Sequence, residues 1–157
     1  MKLNQLAVLC LLVAPPLAFA AAVSCPDLAQ AVQVGACPAE EELRYTYAGF
    51  CSDDAKAYKG ETDVCIDYRL YRALKNVALW ESGDGVFNAY VSCDLPPGKL
   101  KGARAAAIKV ARQGRMTHLV CSYGDGLSFT WRTRAECKVG PGADCAADPA
   151  SCKADCE

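Results

Sequence analysis

Two stretches of the chain alternate apolar and polar side chains, and each one follows a Gly-Asp-Gly motif. From Phe87 to Leu95 the odd-numbered residues are apolar or cysteine, and the same alternation runs from Leu127 to Cys137. A period of two predicts a β-strand with one buried face. The glycines of Gly83-Asp84-Gly85 and Gly124-Asp125-Gly126 accept the positive φ that tight hairpins need. The pattern therefore predicts two antiparallel hairpins of one sheet.

The remaining strands of this sheet are predicted from shorter signals. Val77 to Glu81 enters the first Gly-Asp-Gly turn, and residues 105–112 alternate before a turn at Gln113-Gly114 leads into residues 115–123. The Ala-rich, basic composition of residues 99–112 also favours a helix, so both structures stay open for that stretch. With a strand at 105–112, the sheet becomes a five-stranded antiparallel meander.

One helix is predicted from about Asp63 to Lys75. Ile66, Leu70 and Leu74 recur at intervals of four residues, which is the spacing of one helical face, and Tyr71 lies alongside them. We expect this apolar stripe to face the protein and the charged side to face solvent. A second, shorter helix is predicted after Pro26, with Leu28, Ala31 and Val32 on one face and Gly35 at its end.

The acidic run Glu40-Glu41-Glu42 is interpreted as a solvated turn. Leu43, Tyr45 and Tyr47 follow it at a period of two. That spacing indicates a strand after the turn.

The first twenty residues have the features of an export signal. Lys2 supplies a positive charge, and an unbroken apolar run extends from Leu6 to Val13. Two prolines and a small-x-small pattern follow, which predicts cleavage after Ala20 or Ala22. The apolar run is too short to span a bilayer, so no transmembrane segment is expected after removal of the signal. Lipidation at Cys25 is the minor alternative to soluble export.

The cysteine count predicts disulfides. Ten of the 11 cysteines remain once Cys10 leaves with the signal, and an even number in an exported chain indicates bridges. No Cys-x-x-Cys pair is present, which argues against zinc-finger spacing, haem attachment and dithiol exchange. Connectivity stays open among the cysteines predicted to pair, which are Cys25, Cys37, Cys51, Cys65, Cys93, Cys121, Cys137, Cys145, Cys152 and Cys156.

The domain organisation follows from these features. Residues 1–20 are the signal, and residues 21–139 form a single disulfide-rich domain. Residues 140–157 are a small, acidic tail whose prolines and glycines predict irregular structure over most of its length. An internal pair among the three tail cysteines leaves one over, so the tail is expected to be bridged to the domain.

Charge is segregated although the formal net charge is only −1. Six basic residues and no acidic one lie between Lys99 and Arg115. The near-neutral total gives no reason to expect nucleic-acid binding. If this basic stretch has no binding function, it is simply a solvated outer face of the sheet. The functional interpretation is a basic binding face made of Lys109, Arg112, Arg115, Arg132 and Arg134.

Catalytic or metal-binding constellations are sparse. His118 is the only histidine, and a lone strand histidine is more often structural than catalytic. Asp84 and Asp125 raise the question of calcium, but each turn offers one carboxylate where a calcium site needs several oxygen ligands. Turn chemistry explains both aspartates, so neither a metal nor a cofactor is predicted.

These observations predict a small disulfide-rich α+β domain with an antiparallel meander of about five strands and one or two short helices. The expected function is that of a periplasmic or secreted binding protein without enzymatic activity, of the inhibitor or immunity type. Its partner is a protein or an anionic envelope component. The alternatives are a small secreted hydrolase that uses His118 and a polyanion-binding envelope protein.

Overall fold

A computed structural model describes residues 21–52, 63–140 and 145–157. Within these residues the chain forms two antiparallel sheets, of six and three strands, together with four short helices and five disulfides. The predicted class, a small disulfide-rich α+β domain, is confirmed. The predicted signal, residues 1–20, lies outside the described residues.

The large sheet contains both predicted hairpins. Its strands are β2 (Val32–Gln33), β3 (Val77–Glu81), β4 (Asn88–Ser92), β5 (Ala107–Gln113), β6 (Met116–Ser122) and β7 (Ser128–Thr133). The Gly-Asp-Gly turns connect β3 to β4 and β6 to β7, as the alternation predicts. The open question at residues 99–112 is also answered, because helix α4 (Pro97–Gly102) comes first and β5 follows it. The β5–β6 turn lies at Gly114-Arg115, one residue later than predicted.

The strand order departs from a simple meander. The order is β2-β3-β4-β7-β6-β5, so β4 lies beside β7 rather than beside β5. Asn88 opposite Thr130 fixes this contact. Strands β5, β6 and β7 do form a meander, and the connection through α4 carries the chain from β4 to the far edge. Strand β2, which lies where a short helix was predicted after Pro26, adds the sixth strand. Only Leu28–Gln30 is helical there, as a 3-10 turn.

The small sheet joins both ends of the described chain. It contains β1 (Ala21–Ser24), β8 (Cys137–Val139) and β9 (Lys153–Cys156), with β9 in the middle. The tail is therefore not irregular throughout, because it ends in a strand that pairs on both sides. Four residues are too few for an alternation of apolar and polar side chains to be recognised in the sequence.

The core lies on one face of the large sheet, here called the inner face. Phe87, Leu119 and Phe129 project from it and are at most 1% exposed. Leu28 and Leu100, from the 3-10 turn and from α4, complete the cluster. Burying each such side chain contributes about 1.5–3 kcal/mol.

All ten predicted cysteines are paired. The bridges are Cys25–Cys121, Cys37–Cys93, Cys51–Cys65, Cys137–Cys156 and Cys145–Cys152. The expected link from the tail to the domain is the bridge that joins β9 to β8. Two others attach segments from the N-terminal part of the chain to the large sheet. Each closed loop typically stabilises the fold by about 2–4 kcal/mol.

Helix α1 (Glu40–Cys51) replaces the predicted turn and strand. The three glutamates of residues 40–42 occupy its first turn, where negative charge interacts favourably with the helix dipole. Leu43 and Tyr47 lie four residues apart, so they share a helical face as readily as a strand face. Leu43 is 3% exposed, which shows that this face packs inward.

The predicted helix at 63–75 is present but broken, and of its predicted apolar side only Tyr71 is buried. It consists of α2 (Asp63–Ile66) and α3 (Tyr68–Lys75), separated by Asp67, which accepts a hydrogen bond from the Arg69 amide at 2.9 Å. The apolar stripe is exposed by 50–77%, at Ile66, Leu70 and Leu74. Tyr71 is the buried residue, at 2%. An aromatic cluster explains this, because the Tyr71 ring packs against the rings of Tyr47 and Phe50 of α1. The distances between ring centroids are 5.2 and 5.4 Å.

Candidate functional site

The outer face of the large sheet is the candidate site. Strand register places on it, among others, Leu79, Glu81, Asn88, Tyr90, Lys109, His118, Val120, Thr130 and Arg132. Each of these side chains is half-buried or exposed, whereas the inner face carries fully buried ones. Tyr90 is 74% exposed. The described part of the chain therefore leaves this face open to solvent.

Three cationic or titratable side chains share the half of this face formed by β5, β6 and β7. His118 lies directly opposite Arg132 on β7 and opposite Ala111 on β5. Lys109 projects from the same side of β5, opposite Val120. Arg132 Nη1 donates a long hydrogen bond to the Asn88 amide oxygen, at 3.4 Å. The arrangement can attract an anionic surface, and it places Arg132 rather than a carboxylate across from the histidine.

The other three residues of the predicted basic face lie elsewhere. Arg112 is opposite Thr117, whose side chain is buried, so Arg112 belongs to the inner side of β5. There it donates to Glu136 at 3.0 Å. Arg115 is in the β5–β6 turn, and Arg134 follows the end of β7. The sequence stretch is basic, but a strand sends neighbouring side chains to opposite faces.

The aspartates of the two Gly-Asp-Gly turns differ in their surroundings. Asp84 Oδ1 accepts hydrogen bonds from the Ser82 hydroxyl at 2.5 Å and from the Val86 amide at 3.0 Å. These bonds, the Ser82 hydroxyl first, hold the pKa of Asp84 below its ordinary value. Asp125 has a φ of 49°, between two glycines that are also left-handed. Asp84 thus accepts hydrogen bonds within its turn, as turn chemistry predicts. Asp125 is exposed to solvent.

A network of ion pairs fixes the helices to the sheet beside this face. Arg72 of α3 donates to both oxygens of Asp94, which follows β4, at 2.7 and 3.0 Å. The same guanidinium reaches Glu40 of α1 at 3.2 Å, and Tyr68 donates to Glu40 at 2.9 Å. Arg72 lowers the pKa of Asp94, and the Tyr68 hydroxyl together with Arg72 lowers the pKa of Glu40.

Sequence reasoning missed this network. It assigned Arg72 to an ordinary solvent face and the glutamates to a turn. Asp94 and Glu40 are 22 and 32 residues from Arg72 in sequence, so no local pattern predicts that they pair with it. Asp94 continues the alternation of polar residues along its strand, so its position gave no signal either.

Other kinds of site have little support in the described residues. They contain no group of three or more histidine, cysteine, aspartate or glutamate side chains close enough to hold a metal ion. None of their helices is both long and apolar enough to cross a membrane. No family model, curated protein or solved structure matches the chain. Function must therefore be argued from the geometry alone.

Proposed function

We propose that this is an exported binding protein without enzymatic activity, which recognises an acidic partner through the outer face of its large sheet. The observation that supports the proposal best is the openness of that face on an otherwise covered, disulfide-bonded sheet. Tyrosine and arginine are enriched where proteins bind one another, and Tyr90 and Arg132 both lie here. Lys109 adds a second positive charge.

The stiffness of the scaffold favours this function. Cys121, on the inner side of β6, is bridged to Cys25, and Cys93, just past β4, is bridged to Cys37. A surface held in this way loses little conformational entropy when a partner binds. The five disulfides fit an oxidising environment, and we place the protein in the periplasm or outside the cell.

A pair of charge reversals tests the proposal. The protein is immobilised, and partners are captured from envelope and culture extracts of the source cells. The outer-face variant is Lys109→Glu/Arg132→Glu. The matched control is Lys138→Glu/Lys153→Glu, which reverses two exposed strand lysines of the small sheet.

A partner retained by the wild type and by the control, but lost from the outer-face variant, supports the proposal. A partner retained equally by all three proteins places recognition elsewhere and contradicts it. Circular dichroism of both variants checks that the fold is kept.

The two alternatives have their own tests. His118→Ala abolishes activity if the protein is a hydrolase, and unchanged biological activity in that variant removes the enzyme hypothesis. Binding to an anionic envelope polymer must weaken steeply as salt rises. A partner captured at 0.5 M salt as well as at low salt removes the polyanion hypothesis.

A further inference from the structure

The large sheet has an opening between β4 and β7. The register joins these two strands at a single pair, Asn88 opposite Thr130. Continuing that register would place Tyr90 opposite Ser128, but this second pair does not form. A cavity of about 340 Å³ lies there instead, and both Tyr90 and Ser128 line it. We call this cavity the β4–β7 gap.

The backbone of Tyr90 faces the gap. At the end of the β3–β4 hairpin the Cys93 amide donates to the Asn76 carbonyl at 3.0 Å, so the odd-numbered residues of β4 bond to β3. Neighbouring residues of a strand direct their N–H and C=O groups to opposite edges. Tyr90, an even-numbered residue, therefore directs both groups away from β3 and toward β7.

The backbone of Ser128 faces the gap from the other side. The Tyr123 amide donates to the Leu127 carbonyl at 2.9 Å, so the odd-numbered residues of β7 bond to β6 and Ser128 points toward β4. Within the described residues, neither Tyr90 nor Ser128 has a backbone hydrogen bond across the gap. Each wall thus offers one donor and one acceptor, which solvent or a ligand must satisfy.

The rest of the lining is apolar at one end and acidic at the other. Val91, which is 4% exposed, lines the cavity together with the half-buried Leu95 and Leu127. Asp94 and Asp125 also line it, and their negative charges disfavour an anionic ligand. Main-chain donors and acceptors beside apolar side chains are the features with which sheets bind extended peptide segments.

Both walls of the gap are anchored elsewhere. Cys93, just past β4, is bridged to Cys37, and Asp94, the next residue, is paired with helix α3. On the other side the Ser128 hydroxyl contacts the Ser122 hydroxyl of β6 at 3.3 Å. The gap is therefore preorganised, and a ligand that fills it loses little free energy to rearrangement of the strands.

We propose that the β4–β7 gap binds an extended, uncharged segment of the partner, with an apolar side chain against Leu95 and Leu127. The N–H and C=O groups of this segment pair with Tyr90 on one side and with Ser128 on the other. The inference deepens the proposed function and rests on it for the existence of a protein partner. Acidic residues of that partner meet the cationic half of the outer face, and a neutral stretch enters the gap.

The test uses two neutral tripeptides in backbone-amide NMR titrations of the full mature protein. The first is N-acetyl-threonyl-leucyl-threonine amide, and the second carries a methyl group on the leucine nitrogen, which removes one donor. We expect the first to bind with shifts of the Tyr90 and Ser128 amides, and the second to bind about tenfold more weakly. Equal affinity for the two peptides, or no binding of the first at 10 mM, would overturn the proposal.

A matched pair of variants removes one wall contact without breaking the sheet. Ser128 is the first residue of β7, a position where proline is tolerated, and its N–H forms no bond to β6. Ser128→Pro should weaken the first tripeptide about tenfold, whereas Ser128→Ala, which loses only the hydroxyl, should bind it as the wild type does. Equal affinity of the two variants contradicts the proposal. Shifts of the Tyr90 and Ser128 amides on dilution without peptide would show that a second copy of the chain occupies the gap, which also overturns it.

The charge-reversal variant separates this inference from the proposed function. Lys109→Glu/Arg132→Glu should bind the neutral tripeptide with unchanged affinity, because neither residue lines the gap. If that variant loses the captured partner while the wild type fails to bind the tripeptide, the proposed function holds and the inference about the gap is wrong. If the tripeptide binds as expected while the variant keeps the partner, the inference holds and recognition of an acidic partner is wrong.

Discussion

Arg72 and Asp94 are joined by two parallel hydrogen bonds, with Nη1 2.7 Å from Oδ2 and Nη2 3.0 Å from Oδ1. The pair connects helix α3 to the end of β4, and Glu40 extends it to α1. Paired fork contacts of this kind are the strongest geometry that an arginine and a carboxylate adopt. One guanidinium thus contacts carboxylates of both α1 and the end of β4, beside the Asn76 side chain, which also donates to Asp94, at 3.1 Å.

Removing this guanidinium should lower the thermal stability of the protein. We expect Arg72→Ala to reduce Tm by a few degrees (~2–5 °C), a modest effect because the pair is partly exposed to water. The control is Arg69→Ala, since Arg69 bonds only to its near neighbour Asp67 and is 87% exposed. Calorimetry of the oxidised proteins measures both. An equal Tm for the two variants would show that the link to Asp94 contributes nothing.

The same contacts predict that the stability of the fold depends on pH. The pKa values of Asp94 and Glu40 are lowered from ordinary values of 3.8 and 4.5. A lowered pKa in the folded state stabilises the fold fully above those ordinary values, and the stabilisation is lost as pH falls through the folded pKa. The Tm difference between the wild type and Asp94→Asn should therefore be largest above pH 4.5 and should shrink below pH 3.8. A difference that is constant from pH 7 to pH 2.5 would contradict this assignment.

Removing either of two buried hydroxyls should change the free energy of unfolding, in opposite directions. The Ser82 hydroxyl accepts from the Phe87 amide at 2.9 Å and donates to Asp84, so Ser82→Ala leaves a buried N–H unpaired and should cost about 1–3 kcal/mol. Thr117 is 1% exposed, and its hydroxyl has no hydrogen-bond partner among the described residues. Thr117→Val keeps the shape and removes the unpaired group, so it should stabilise the protein by about 1 kcal/mol. Urea unfolding measures both changes. Destabilisation by Thr117→Val comparable to that by Ser82→Ala would indicate a hidden partner.

Much of the large sheet was predictable because its signals are local. Period-two alternation and turn glycines identify β4 and β7 and the hairpins that contain them, and the faces assigned to Phe87 and Phe129 are correct. The position of β4 beside β7 was not predictable, because strand order depends on contacts between residues far apart in sequence. The bridges among the ten cysteines could be counted but not assigned for the same reason.

The helical region shows where periodicity misleads. Leu43, Tyr45 and Tyr47 fit a strand, yet the negative charges ahead of them suit the start of a helix. Ile66, Leu70 and Leu74 mark a helix correctly, but the side that packs is chosen by Tyr71 and its aromatic neighbours. The candidate site was half predicted. Lys109 and Arg132 share the outer face, whereas Arg112 lies on the other side of β5, because the register places it opposite Thr117.

The first strand predicts where the mature chain begins. All four residues of β1 pair with β9, with Ala21 opposite Cys156 and Ala22 opposite Asp155. Cleavage after Ala20 leaves this strand whole, whereas cleavage after Ala22 removes half of it. We expect the exported protein to begin at Ala21 and to gain ten hydrogens on reduction. Intact mass with and without reductant measures both. An N-terminus at Val23, or a lipid on Cys25, would contradict the expectation.

Site-specific photo-crosslinking tests the proposed recognition face most directly. Tyr90 on the outer face and Tyr45 on α1 are 74% and 82% exposed, so they form a matched pair. Each is replaced in turn by the photoreactive residue p-benzoylphenylalanine, and the protein is irradiated in cells of its source. We predict one discrete adduct of constant mass from position 90 and none from position 45. The same adduct from both positions, or from position 45 alone, would contradict recognition through the outer face.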